Sequence, residues 1–103
     1  MEINVTKSHD HVVARLRGPL EISNVGLARE RFVQILESGK DITLDFAGLT
    51  EIDTAGIQMV LAVHADSLRQ GKICRFVHPV PEVMEPFRLL RLDGLFDQSI
   101  ATT

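Results

Sequence analysis

The first forty residues change hydrophobic period once. Ile3 and Val5 alternate with Glu2, Asn4 and Thr6, the two-residue period of a strand. "KSHDH" (residues 7–11) is polar and turn-like, and Val12, Ala14 and Leu16 then share one face of a second strand. The pair predicts an antiparallel hairpin. "GPLEISN" is expected to break the second strand, with Ser23 and Asn24 as candidate helix caps. Val25, Ala28, Phe32, Ile35 and Leu36 recur at helical spacing up to Gly39.

The strand–helix alternation then repeats. "GKDITLDF" puts Ile42, Leu44 and Phe46 on one face of a third strand. After "EIDTAGIQ" (Glu51 to Gln58), Ile57, Val60, Leu61, His64, Ala65 and Leu68 recur at helical spacing and predict a long amphipathic helix that ends at Gly71. Gly39 and Gly71 each follow a helix and precede a lysine and a strand, where a left-handed residue often closes a helix. "KICRFV" is the fourth strand. In "HPVPEVMEPFRLLRLDGLF", Pro81 suits a first helical turn, whereas Pro86 removes a helical hydrogen bond, so the helix kinks or starts there. Val83, Phe87 and Leu90 would share its inner face, and Asp93-Gly94 would stop it. "LFDQSIATT" is an edge strand or a last turn.

The order is therefore β-β-α-β-α-β-α, an α/β fold with a mixed sheet and helices packed on it. The run from Lys40 to Val77 predicts a parallel pair with a right-handed crossover. At 103 residues the chain is expected to form one domain over residues 1–103. Trp and Tyr are absent, so the core must rest on Leu, Ile, Val and the five Phe.

Charge and cysteine content narrow the function classes. A net charge of −3 argues against nucleic acid as the main partner, which would need a clustered basic patch. The single cysteine, Cys74, cannot form an internal disulfide and reads as a small core residue on the fourth strand. No segment approaches the ~18 consecutive apolar residues of a membrane span, and the alternating, acid-bearing start does not look like a signal peptide. The expectation is a cytoplasmic, soluble protein without membrane insertion.

Catalytic chemistry finds little support. Asp45 and Asp53 lie where ligands favour the sheet edge of α/β folds, and paired carboxylates can bind Mg²⁺ or move protons. No base, nucleophile or partner cluster accompanies them, and Asp at such places usually accepts backbone N–H groups. A phosphoaspartate receiver would need an acidic pair after its first strand, where only Asp10 stands. A nucleotide site would want a glycine-rich loop or a basic anchor. The four histidines do not converge on a metal site. No cofactor or metal is expected.

Thr54 has two roles open to it. As N-cap or near-cap it would satisfy an early helix N–H, worth about 1 kcal/mol. As a candidate phosphoacceptor it would place a dianion at a helix N-terminus, opposed by Glu51 and Asp53. The spacing favours the cap. The long helix also carries Met59, Ala62 and Val63 off its main stripe. That surplus reads either as deeper burial or as a partly exposed apolar strip suited to partner docking.

"ITLDFAGLTEIDTAGIQMVLAVHADSLRQGK" resembles the signature region of STAS domains, the fold of bacterial anti-sigma-factor antagonists. The family pattern is a strand ending in Leu-Asp-Leu, a short loop, Asp-Ser/Thr-Ser/Ala/Gly-Gly and an apolar helix. "GPLEISN" looks like a degenerate form of the family's Gly-Glu-Leu-Asp loop, and "PVPEVMEPFRLLRLDGLF" looks like its last helix. The resemblance spans nearly the whole chain. It implies a four- to five-stranded mixed sheet, and a non-enzymatic role in regulated protein–protein binding. In switching members, a kinase phosphorylates the hydroxyl residue just before the motif's glycine. Here that residue is Ala55, which has no hydroxyl.

Within the family, the run "IDTAGIQMVLA" looks closest to the small STAS proteins of chemotaxis-type operons. A second similar subgroup is the STAS subunit of phospholipid-transport ABC complexes. Both resemblances imply a partner surface containing Glu21, Asp53, Thr54, Ala55 and Gly56, extended by Met59 and Val63. Asp53 would order the loop, Thr54 would cap the helix and lend a hydroxyl, and Gly56 would permit close backbone approach. The implied partner is an anti-sigma factor, a histidine-kinase-like protein or an ABC ATPase subunit. The chain itself would be a monomer or weak dimer.

Overall fold

The computed structural model describes residues 1–96. The elements are β1 (Glu2–Lys7), β2 (His11–Leu20), α1 (Val25–Glu37), β3 (Asp41–Ile52), α2 (Thr54–Arg69), β4 (Cys74–Val77) and α3 (Pro81–Leu89). The α/β order read from the sequence is the order observed. The strands form one sheet in the order β1-β2-β3-β4. β1 and β2 run antiparallel as the expected hairpin, while β2–β3 and β3–β4 are parallel.

Alternation along the strands decides where the core lies. Val12, Ala14 and Leu16 of β2, Ile42, Leu44 and Phe46 of β3, and Cys74 and Phe76 of β4 project into one buried cluster. All three helices enter that same cluster, through Phe32 and Ile35 of α1, Ile57 and Val60 of α2, and Val83 and Phe87 of α3. The helices therefore cover one sheet face. The other face carries Asn4, Arg15, Thr43, Asp45 and Arg75, none of them buried. Parallel strands are usually covered on both faces. Here polar side chains on the uncovered face let water take that place.

Both strands that lead to the site are longer than expected. β2 runs on through Gly18 and Pro19 and breaks inside "GPLEISN" only after Leu20, and β3 continues through Leu49 to Ile52. Gly18 makes the continuation of β2 workable with φ at +84°, and register shifts bend the strand on either side of it. Proline disrupts a central strand because it lacks an N–H. β1 begins opposite Arg17, so Pro19 lies beyond its end and no ladder bond is lost on that side. Gly39 and Gly71 do close α1 and α2 in the left-handed region, at φ +67° and +73°.

α2 shows the largest departure. Its buried residues are Gly56, Ile57, Val60, Val63 and Ser67, while Leu68 is 58% exposed. The stripe is rotated from the one expected through Leu61, Ala65 and Leu68. A helix apolar on several sides leaves its phase undetermined by hydrophobicity. Small residues decide it, because Gly56 faces inward where the Leu20 backbone comes close and Ser67 is fully buried on the same side.

α3 starts at Pro81 and runs unbroken through Pro86, rather than restarting there. Leu90 falls on its C-cap and is 52% exposed, so it does not join Val83 and Phe87. A 3-10 turn at Asp93–Leu95 follows, and Phe96 forms an isolated bridge with Phe76. The rings of Phe46, Phe76, Phe87 and Phe96 lie 5.0–6.4 Å apart and tie this end to the sheet. The rest of "LFDQSIATT" lies outside the described residues.

Candidate functional site

The extensions of β2 and β3 deliver two loops to one corner. The β2–α1 loop carries Glu21 and Ile22, and the β3–α2 junction carries Asp53. Asp53 caps α2, its Oδ1 accepting the N–H of Gly56 at 2.9 Å. Its Oδ2 accepts the N–H of Ile22, also at 2.9 Å. The Asp53 N–H donates to the Leu20 carbonyl at 3.3 Å. One carboxylate thus joins both loops.

Asn24 closes the first loop from inside. It is the N-cap of α1 but makes no side-chain bond to the helix. Its Oδ1 accepts the Glu21 N–H at 3.0 Å, and its Nδ2 donates to the Pro19 carbonyl at 2.9 Å. The loop is held at both ends, yet Ile22 is 72% exposed at its tip.

The electrostatics follow from the hydrogen bonds. The Gly56 N–H and then the Ile22 N–H hold the Asp53 carboxyl below its ordinary value, because both stabilise the ionised form. Glu21, Glu51 and Glu82 line the same shallow groove as Asp53, with Thr50 and Ile52 between them. Among the described residues no ion pair offsets these four acids.

The expected contact residues separate into two groups. Glu21, Asp53 and Ala55 are half-buried, Thr54 is exposed and Met59 is half-buried, so these five remain on the surface. Gly56 and Val63 are buried, Val63 to 2% exposure, which corrects the expectation that they form the contact surface. Gly56 serves close packing instead. A Cβ there would stand 2.5 Å from the Leu20 carbonyl oxygen and 2.8 Å from the Ile52 side chain.

Thr54 stands next to the cap, as the first residue of α2, because Asp53 takes the cap position; the expected bond to an early helix N–H is made by Asp53 instead. The Thr54 hydroxyl is exposed and makes no hydrogen bond among the described residues. Asp45, by contrast, does what was expected of it and accepts the Ala47 N–H at 3.0 Å. Among the described residues no three His, Cys, Asp or Glu side chains converge as a metal site. No helix of the described residues is long and apolar enough to cross a membrane.

Sequence reading missed Ile22 and Glu82. An isoleucine inside the polar run "GPLEISN" was the available signal for the first. Glu82 had none, since only the tertiary fold brings the start of α3 to this corner.

The fold is shared with solved anti-sigma-factor antagonists. The unphosphorylated form of the antagonist SpoIIAA matches with a TM-score of 0.79 at 21% identity, covering 93% of this chain and 86% of that one. An anti-sigma factor antagonist from Mycobacterium paratuberculosis matches with a TM-score of 0.82 at 14% identity, covering 92% and 81%. The phosphorylated Bacillus SpoIIAA matches with a TM-score of 0.73 at 20% identity, covering 93% and 89%. No curated protein matches the chain significantly. The family model described as "Mlab, STAS domain" matches residues 3–97. The chain belongs to the STAS domain family.

Proposed function

We propose that this chain is a non-enzymatic regulatory module of the cytoplasm that binds a larger signalling protein of the anti-sigma-factor or kinase type. The docking surface is formed by Glu21, Ile22, Asp53, Thr54, Ala55 and Met59, with Gly56 packed beneath it. One observation carries the reading. A single carboxylate locks the loop that carries exposed Ile22 to the helix start that carries exposed Thr54. A large apolar side chain fixed beside polar groups is the make-up of an interface core and rim. Ala55 removes the usual phosphoacceptor, so the module binds constitutively, as a small STAS protein of the chemotaxis-operon kind. Its effect on transcription passes through the partner.

A second reading is the STAS subunit of a transport ATPase. The family model that matches bears the name Mlab and not that of an antagonist, which favours this alternative. The same surface would dock on the ATPase.

Affinity capture from the native cell tests both. The first reading expects a histidine-kinase-like or anti-sigma protein, recovered by the wild-type chain and lost with Thr54→Glu. An ABC ATPase in its place selects the second reading. Mass spectrometry of Thr54 from the same cells decides between constitutive binding and a Thr54 phospho-switch.

A further inference from the structure

A groove runs between α1 and α2 and adjoins the corner described above at Ile22 and Ala55. Ile22, Val25, Val33, Ala55, Met59 and Ala62 line it, over a floor of Phe32, and it encloses about 400 Å³. Ala55, Met59, Ala62 and Asp66 come from successive turns of α2, and Val25, Arg29, Val33 and Leu36 from successive turns of α1. The alanines leave a trough where larger side chains would make a ridge. Twelve residues of helix on each wall give a length of roughly 16 Å at about 1.5 Å rise per residue. Val33 is 42% exposed and Ile22 72%, so the trough is open to solvent.

Its two ends differ in charge. At the Ile22–Ala55 end stand Glu21, next to Ile22 in the chain, and Asp53, bonded to the Ile22 N–H; Glu51 and Glu82 line the neighbouring groove with them, and none of the four is in an ion pair among the described residues. At the other end Asp66 is paired with Arg69. Arg29 stands midway.

We propose that this groove takes an amphipathic helix of the partner, with apolar residues at i, i+4 and i+7 in the trough and lysine or arginine at the end that meets the acidic corner. The proposal rests on the binding role argued above and names the partner's chemistry. A trough between two helices admits a third helix as ridge into groove. Charge complementarity sets its direction and selects against acidic segments. A second copy of this chain is a poor occupant. Its exposed apolar pair flanked by arginines is Leu89-Leu90, two residues at the end of a nine-residue helix, too short for the trough.

Site-specific photo-crosslinking in the native cell tests this. p-Benzoylphenylalanine replaces Val33, Met59, Thr54 or, as a control, Leu89 in the full chain, each checked for folding by circular dichroism. The crosslinked peptide is then sequenced. The expected result is that Val33 and Met59 capture a segment with helical apolar spacing and basic residues at one end. Combining Glu51→Lys with Glu82→Lys should lower that yield several-fold. Capture of an acidic or non-amphipathic segment, or of a second copy of this chain, overturns the proposal. Crosslinks at Thr54 with none in the groove overturn it and leave the binding role standing. Crosslinks at neither overturn both.

Discussion

Asp53 accepts the backbone N–H of Ile22 at 2.9 Å across 31 residues of chain, while its other oxygen caps α2 at Gly56. Neither bond alone would couple the β2–α1 loop to the helix start. Together they make the corner that displays Ile22 and Thr54 one rigid unit. Asp53→Ala should therefore free the first loop as well as uncap the helix. Amide hydrogen exchange should accelerate at Ile22 as well as at Gly56, with Tm lowered. Acceleration at Gly56 alone would show that the two loops are held by other contacts.

The same carboxylate makes stability depend on pH in a defined direction. Its folded-state pKa lies below the ordinary value of 3.8, owing first to the Gly56 N–H and then to Ile22. A group depressed on folding stabilises the folded state above its unfolded pKa and loses that contribution as pH falls through the folded one. The Tm difference between the native protein and Asp53→Ala should be full at pH 7 and shrink below about pH 4. Thermal unfolding at a series of pH values measures it. A difference that stays constant down to pH 2 would contradict the assignment.

Gly56→Ala tests the close approach of α2 to the end of β2. The added methyl would meet the Leu20 carbonyl oxygen at 2.5 Å, and backbone cannot swing aside as a flexible side chain can. Alanine is otherwise the better helix former, so any loss reports the clash. Overpacking of this kind costs about 1–3 kcal/mol. Urea unfolding should show a lower midpoint at unchanged slope.

Cys74 should be chemically silent in the folded protein. Burial raises its thiol from 9.0 to about 12, because a thiolate would lose its hydration there. Since the thiolate is the reactive form, a disulfide reagent at pH 8 should label Cys74 only after denaturant is added. Rapid labelling of the native chain would place the thiol nearer solvent than its 7% exposure.

Periodicity made the architecture legible, and it failed where local signals and tertiary ones compete. The strands, the order of elements and the two closing glycines follow from apolar spacing and from residues with a single favoured conformation. "GPLEISN" does hold the end of β2, but the strand outlasts the glycine and proline that ordinarily end one, because the short reach of β1 leaves Pro19 harmless. The phase of α2 was hidden because Leu61, Val63 and Leu68 are equally hydrophobic. Gly56 and Ser67 set it by fitting under the helix. At the site, Asp53 was legible as a loop organiser, but its assumed neighbour in capping, Thr54, was displaced by one residue. A cap and the residue after it are easily exchanged when both are good cap formers.

Ser67 offers the last test of that phase. Its side chain is fully buried on the inner face of α2, and Oγ has no hydrogen-bond partner among the described residues. Its backbone carbonyl is already engaged, accepting from Gln70 and Lys72 at the helix end. A buried hydroxyl left unpaired costs about 1–3 kcal/mol of desolvation, and serine is also a weaker helix former than alanine. Against this, removing Oγ leaves a small void with its own cost. The balance favours Ser67→Ala as stabilising by about 1 kcal/mol. Ser67→Leu should do the opposite, since a large side chain would overpack a position that is fully buried. Urea midpoints for the two variants should move in opposite directions. If Ser67→Ala were destabilising instead, the hydroxyl would have to hold a buried water. If Ser67→Leu were neutral, the helix would be rotated towards the stripe through Leu61 and Leu68.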